Sequence, residues 1–422
     1  MMDIKLIRDE TDKVRDNIKY RGTDFDIDAF VQLDKEWKEA KQELEEKRAL
    51  RNKVSEEINA AIKQNQRPQK QIDEMRIVSS RIKELEKLYT ELDERRSRDW
   101  LKIPNFVHKD VPQGKDEREN KEIHRWGDRK QKFELKDHLT LLQNLNLIDL
   151  DKAGEIAGAG FVYLKGDLVL LDHALQRFAL DFLLKKGFTL MEPPFMVRRE
   201  PYEGLVEIQE FEDTMFKIQD EDLYLIATAE HGLVPHYMNT TIPEEELPLR
   251  LAGVSPAFRK EIGSHGKYTK GLFRMKQFNK IEQVSFAHPD QSWEEFTFLQ
   301  TNSEEILKEL EIPYRTIVLC TGDLGTMKAM QYDNEFLMAD GEYREIGSCS
   351  NLTDFQPRRL NIKYITKRNE REYVHALNNT AMPTSRGMLA IIENHQQEDG
   401  SIKIPKALQK YMNNKKELEA LK

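Results

Sequence analysis

Along the first quarter of the chain, apolar side chains return every three or four residues. Between about residues 28 and 64 they are Phe30, Leu33, Trp37, Ala40, Leu44, Val54, Ile58 and Ala61, with Lys47 and Arg51 interrupting the stripe. The stripe stops at Gln64-Asn65-Gln66-Arg67-Pro68 and resumes as Met75, Val78, Ile82, Leu85, Tyr89 and Leu92. A narrow apolar seam on an otherwise charged helix is a coiled-coil pattern. Pro68 is tolerated best near a helix start. The spacing predicts two antiparallel helices of about 30 to 35 residues, about 50 Å long, with the tip at residues 65 to 68. Their basic residues (Lys38, Lys41, Lys47, Arg48, Arg51, Lys53, Lys63, Arg67 and Lys70) are interleaved with acids. A solvated hairpin and a nucleic-acid arm both fit that mixture.

Residues 101 to 130 read as a connector, and from Asp137 the pattern becomes globular. Leu168, Leu171, Leu175, Phe178, Ala179 and Phe182 predict an amphipathic helix from Asp167 to Lys186. It breaks at Gly187, and a strand running from Phe188 to the prolines Pro193-Pro194 follows. Leu223-Tyr224-Leu225-Ile226 is strand-like, and on a continuing strand Thr228 and Glu230 would face the same way. Phe258-Arg259-Lys260-Glu261 and Gln277-Phe278-Asn279-Lys280-Ile281-Glu282 read as two strands joined by a basic loop, Gly263-Ser264-His265-Gly266-Lys267. Leu377-Asn378-Asn379-Thr380-Ala381 reads as a loop feeding an apolar helix that contains Leu389-Ala390-Ile391-Ile392.

Composition narrows the class. A chain of 422 residues predicts two or three domains. The charge is concentrated before about residue 135, which leaves the remainder able to bury a sizeable core. A net charge of -9 argues against a broad positive field for nucleic acid, though not against a local basic patch. Cys320 and Cys349 form neither a disulfide framework nor a zinc-site spacing. No stretch approaches the roughly 20 apolar residues that span a bilayer, and Met1-Met2-Asp3-Ile4-Lys5 is unlike a signal peptide. A cytoplasmic location is expected, with domains at residues 1–110 and 111–422.

The polar residues of the second domain suit a nucleotide and an ammonium-bearing polar group. An arginine such as Arg259 can grip a phosphate with both arms, Phe278 can stack on a base, and Thr228 with Glu230 can bind an ammonium. Glu345 and Ser348, in Glu345-Ile346-Gly347-Ser348-Cys349-Ser350-Asn351, offer hard oxygen ligands for magnesium. Arg386, at the start of the apolar helix, can meet a terminal phosphate.

In order and spacing these segments resemble motifs 1, 2 and 3 of the class II aminoacyl-tRNA synthetases and, within them, the seryl-tRNA synthetases. The resemblance covers essentially the whole chain. It implies an α+β fold: an antiparallel sheet flanked by helices, preceded by an antiparallel two-helix coiled-coil arm that binds tRNA. It implies ATP-dependent activation of L-serine, with transfer to tRNA(Ser). Whether tRNA(Sec) is also a substrate stays open. Arg259 would serve the α-phosphate and the serine carboxylate, Arg386 the γ-phosphate, and Glu345 with Ser348 would hold Mg2+. ATP contacts would fall on Arg259-Lys260-Glu261, Met275-Lys276-Gln277-Phe278, Glu345-Ile346-Gly347-Ser348 and Arg386, with Glu261 accepting from the adenine amine. Thr228, Ala229, Glu230, Glu282 and Thr380 would join Arg259 around serine. The helix-strand pair before Pro193-Pro194 implies a homodimer.

Three departures stand out against the family: Gly347 for serine, Asn334 for an aliphatic residue, and Leu337 for an aromatic. Asn378-Asn379-Thr380-Ala381 looks like the archaeal and eukaryotic variant of the motif 3 segment. Other readings stay open. A phenylalanine-type class II enzyme would line its pocket with aromatics, and an amino-acid:carrier-protein ligase would lack the arm. An inactive tRNA-binding paralogue would have lost Arg259, Glu345 or Arg386.

Overall fold

A computed structural model of the chain describes residues 1–129, 131–206, 214–261 and 271–421. The basic loop expected at residues 263 to 267 lies outside them. The described chain divides into two units, Met1–Phe106 and Val107–Lys422.

The first unit is helical: α1 (Ile4–Asp9), α2 (Thr11–Arg21), α3 (Ile27–Lys63) and α4 (Gln69–Lys102). Asp26 caps α3 by accepting from the Ala29 amide, and Asn65 turns the tip with a positive φ. The 37 residues of α3 make a rod about 55 Å long. Two apolar clusters hold the unit together. Ile7, Val14, Ile18, Phe30 and Ile103 bury themselves near the base, and Leu44, Val78, Ile82 and Leu85 form the seam of the hairpin.

Between the clusters the packing is mixed. Arg96 lies over the rings of Trp37 and Trp100, at 4.3 and 4.8 Å, and donates to the buried Asp34 at 2.7 Å. Trp37 donates to Asp93 at 2.7 Å. Across Lys47 and Arg51 the seam is carried by Leu50, partly buried against the second cluster. Toward the tip, Lys53, Lys63, Arg67 and Lys70 are exposed and make no ion pair among the described residues.

The second unit is built on one eight-stranded sheet. In chain order its strands are β1 (Lys121–Trp126), β2 (Thr189–Met191), β3 (Leu249–Phe258), β4 (Gln277–Ala287), β5 (Tyr314–Val318), β6 (Met330–Leu337), β7 (Tyr343–Asn351) and β8 (His375–Pro383). They lie side by side as β1-β5-β6-β7-β8-β4-β3-β2. Every neighbour is antiparallel except β2, which runs parallel to β3.

Alternation sorts the side chains of the sheet. Ile281, Cys349 and Ala381 point into a large core shared with α5 (Asp167–Lys185), α6 (Ser292–Glu309) and α7 (Thr384–Asn394). Within that helix-covered side runs a buried polar layer. Asn302 donates to Gln283 at 2.9 Å, and Asn379 donates to Ser303 at 2.8 Å. Asn334 accepts from Gln300 and from Thr316, each at 2.8 Å, so the departure at this position completes the layer. The residues between these face away from the helices. At one end of that opposite face, Val284 and Phe286 pack with Leu233 and Leu251. At the other end the face is polar.

Four expectations need correcting. Residues 101 to 130 are not only a connector, because Lys121–Trp126 is an edge strand of the sheet. Its burial pattern shows five exposed residues and no alternation, so periodicity could not reveal it. The segment holding Thr380 is a strand rather than a loop. The strand before Pro193 covers only Thr189–Met191. Finally, Thr228 to Glu230 do not continue a strand: the short strand Tyr224–Leu225 ends first, and Glu230 begins a one-turn helix, Glu230–Leu233.

Candidate active site

The polar end of the open face is assembled from β4, β7 and β8, the residue that follows β3, the segment from Ala227 to Glu230 and the start of α7. Along β4, Phe278, Lys280 and Glu282 alternate onto it. Thr380 of β8 stands directly opposite Glu282, so their side chains share the face. Thr228 reaches the same place from the other side, its hydroxyl 3.1 Å from Glu282 Oε2 and 3.2 Å from Lys280 Nζ. Lys280 is also ion-paired with Glu282. Glu230 accepts from Gln356 Nε2 at 2.9 Å. Burial raises its carboxyl above the usual range and Glu282 adds to the rise, against Gln356 and Lys280.

Arg259 sits one residue beyond the end of β3. Its backbone amide is tied to the Lys276 carbonyl at 2.9 Å. Its guanidinium donates to the Ala227 carbonyl at 3.3 Å and lies 5.3 Å from the centre of the Phe278 ring. Burial and the nearby Arg386 push it below the usual arginine value. With Ala227, Thr228, His231 and Glu261 it lines a cavity of about 350 Å3. His231 is held neutral there. Burial, then Arg259 and Lys280, bring its imidazole down to about 3. Glu261 accepts from Arg274 at 3.0 Å.

Arg386 is the third residue of α7. It donates to the Glu345 backbone carbonyl at 2.8 Å and meets Oε2 of the same residue at 3.1 Å. The Phe273 ring lies 4.9 Å beneath it. Burial would raise Glu345, but Arg386 and then Arg259 and Lys280 outweigh it, so the carboxylate stays below the usual range.

A β-bulge explains how Glu345 and Ser348, three residues apart, can work together. Glu345 pairs with Glu335 and Gly347 with Asn334, which leaves Ile346 as the extra residue. Ser348 then stands opposite Asp333. Asp333 and Glu335 share a face, so Glu345 and Ser348 do too. Together they present a carboxylate and a hydroxyl, the hard oxygen donors of which Mg2+ usually takes one or two from protein. Among the described residues, no group of three or more His, Cys, Asp or Glu side chains is arranged to hold a metal by itself. The donor set therefore fits Mg2+ shared with a phosphate ligand.

Gly347 also has a steric reason. A Cβ added there would lie 2.9 Å from Thr380 Cβ, so the glycine lets β7 and Thr380 approach closely.

Not every expected residue brings its side chain to this face. Ala229 and Ile346 are buried in the apolar clusters. Met275 and Gln277 line a second cavity, of about 170 Å3, with Phe161, Asp172 and also Phe278. Lys260 is fixed through its amide to Thr214 at 3.0 Å, and the Lys276 ammonium lies 5.8 Å from the Phe161 ring centre. Sequence reasoning missed Lys280, His231 and Gln356. For Lys280 a signal existed: it lies two residues from Glu282, on the same side of a strand.

Comparison with known proteins agrees over the full length. Residues 1–107 match the Seryl-tRNA synthetase N-terminal domain, and residues 212–395 match the tRNA synthetase class II core domain (G, H, P, S and T). The chain is 46% identical over 423 residues to a serine--tRNA ligase of Methanospirillum hungatei, covering 98% of this chain and 99% of that one. It is similar to the crystal structure of a Pyrococcus horikoshii seryl-tRNA synthetase complexed with ATP, with a TM-score of 0.91, 41% identity and 100% of both chains covered. A cytoplasmic serine-tRNA ligase from Naegleria fowleri, in complex with AMP, aligns with a TM-score of 0.87 at 31% identity, covering 100% of this chain and 99% of that one.

Proposed function

The chain belongs to the seryl-tRNA synthetases, and from that premise we propose how its own residues divide the work of ligating serine to tRNA. The overall reaction has two steps. A serine carboxylate oxygen bonds to the α-phosphorus of ATP as the bond to the β-phosphate oxygen breaks, giving seryl-adenylate and pyrophosphate. A ribose hydroxyl at the 3′ end of tRNA(Ser) then attacks the carbonyl carbon, and AMP leaves. No covalent bond to the protein is needed, so positioning and electrostatics carry the catalysis.

The first step brings two anions together. Arg259 lines the cavity and, among the described residues, spends two donors on Ala227, so the rest of its five serve the α-phosphate and the serine carboxylate. Arg386, steadied by Glu345, meets the γ-phosphate. Bound Mg2+ would neutralise phosphate charge, with Glu345 and Ser348 as its protein ligands. Phe278 stacks on the adenine and Glu261 accepts from its amine. Thr228 and Glu230 receive the serine ammonium, while Glu282 and Thr380 receive its hydroxyl. A buried carboxylate left unpaired is costly, so alanine is refused strongly.

The arm contributes tRNA contacts through the exposed bases Lys53, Lys63, Arg67 and Lys70. Leu184 of α5 is 54% exposed and Leu190 of the edge strand β2 is 37% exposed, and two-fold pairing through this region would cover both. No helix among the described residues is long and apolar enough to cross a membrane.

The observation that carries the reading is the contrast along one sheet face. Two guanidiniums lie beside Glu345, and on the same face Thr228, Glu282 and Thr380 gather polar groups that can pair with a small hydroxyl or ammonium. Pyrophosphate-exchange kinetics test it. Glu282→Gln and Thr380→Val should raise the serine KM with little change in the ATP KM. Equal loss on both substrates would contradict the division of roles.

A further inference from the structure

One buried cation in the site has no part in the roles above. Lys280 leaves β4 on the same face as Glu282, with 11% of its side chain exposed against 3% for Glu282. Its ammonium pairs with Glu282 Oε2 and donates to Thr228 Oγ1 at 3.2 Å. Thr228 Oγ1 in turn donates to the same Oε2 at 3.1 Å. The three groups close a triangle.

That triangle fixes the direction of every hydrogen bond in it. An ammonium only donates, and an ionised carboxylate only accepts. The Thr228 hydroxyl, which elsewhere rotates freely, must accept from Lys280 and point its hydrogen at Glu282. Two donors then occupy Oε2 of Glu282, and Oε1 has no partner among the described residues. What the pair presents to a bound molecule is acceptors: Oε1 of Glu282 and the remaining lone pair of Thr228.

We propose that Lys280 is a specificity-determining positioning residue for serine, holding Thr228 as an acceptor toward the serine ammonium and Glu282 as an acceptor toward the side chain, so that the site takes an amino acid whose side chain donates a hydrogen bond. This rests on the reading of Thr228 and Glu282 as serine contacts. Charge supports it. Glu282 adds to the rise of the buried Glu230 carboxyl, and Lys280, ion-paired with Glu282, opposes it. Without the Lys280 ammonium, the Thr228 hydroxyl is released from accepting and can turn its hydrogen elsewhere, Glu282 loses the partner that holds it, and discrimination weakens.

The experiment is pyrophosphate exchange with serine and with alanine on the full chain. The proteins are the wild type, Lys280→Met, Lys280→Gln, Lys280→Arg, Glu282→Gln and the Lys280→Met/Glu282→Gln double variant, each checked by thermal melting. Lys280→Met should raise the serine KM about 10- to 100-fold, the range for one lost hydrogen bond to a charged group. The ATP KM should stay within about threefold, and the serine-to-alanine ratio of kcat/KM should fall at least tenfold. Lys280→Arg, which keeps a donor-only cation, should retain part of that ratio. The double variant should lose clearly less than the sum of the single losses, because the two residues act as a unit. Lys280→Gln gives the same reading if the methionine variant does not fold, since its amide can accept as well as donate. Glu282→Gln with an unchanged serine KM would overturn both the pocket assignment and this inference. A normal serine KM and serine-to-alanine ratio in folded Lys280→Met or Lys280→Gln, beside a damaged Glu282→Gln, would overturn the inference alone. Additive losses would overturn it as well.

Discussion

Arg259 and Arg386 are both anchored through part of the guanidinium, to a carbonyl in one case and to Glu345 in the other. That arrangement orients a cation and leaves donors for an anion. Removing one such donor from a reacting phosphate typically costs about 3 to 4 kcal/mol. Arg259→Ala and Arg386→Ala are each expected to lower adenylate formation by about 10²- to 10³-fold while circular dichroism stays unchanged; near-normal exchange in either variant would take that residue out of the site. Asp333 makes a different prediction, about stability. Burial, with Glu345 nearby, pushes its carboxyl up to about 8, far above the roughly 3.9 of an unfolded aspartate. The folded state therefore holds this proton more tightly, and stability declines as pH rises from about 4 through about 8. Asparagine keeps the shape of the neutral form and does not titrate. The melting temperature of Asp333→Asn should gain on the wild type between pH 5 and pH 8, and a constant difference would mean that Asp333 is ionised throughout.

At the scale of elements, the arm is the clearest case of packing that can stand alone, because its clusters draw only on residues within Met1–Phe106. Deleting residues 1–106 should leave a folded protein that still catalyses serine-dependent exchange. Phosphate contacts supply affinity through counterion release. The truncated protein should thus charge tRNA with a raised KM, and its remaining binding should depend less steeply on salt. Unchanged charging would reduce the arm to a structural appendage. The arm was also the most legible element in the sequence, since a 3,4 repeat carried from Phe30 to Ala61 and again from Met75 to Leu92 lines up apolar side chains only on a helix. The helix Asp167–Lys185 was legible for the same reason. Less visible were elements too short or too exposed to carry a period. The one-turn helix at Glu230 and the edge strand at Lys121 are of this kind. The bulge at Ile346 was invisible because it exists only in the register between two strands. The role of Lys280 depends on Thr228, 52 residues away, and local pattern does not encode such a pairing.

For the whole molecule, the exposed Leu184 and Leu190 predict a two-fold dimer. Light scattering should report about twice the 49.6 kDa chain mass; a fully active monomer at nanomolar concentration would contradict it. Membership of the family covers both units, and on the proposed reading they act in one ligation reaction, the sheet on serine and ATP and the arm on tRNA. The central claim is that the polar end of the sheet activates serine and no other amino acid. ATP–pyrophosphate exchange by the intact chain with each of the twenty amino acids tests it most directly. Exchange with serine alone is the expected result, and exchange with none, or preferentially with another amino acid, would contradict it.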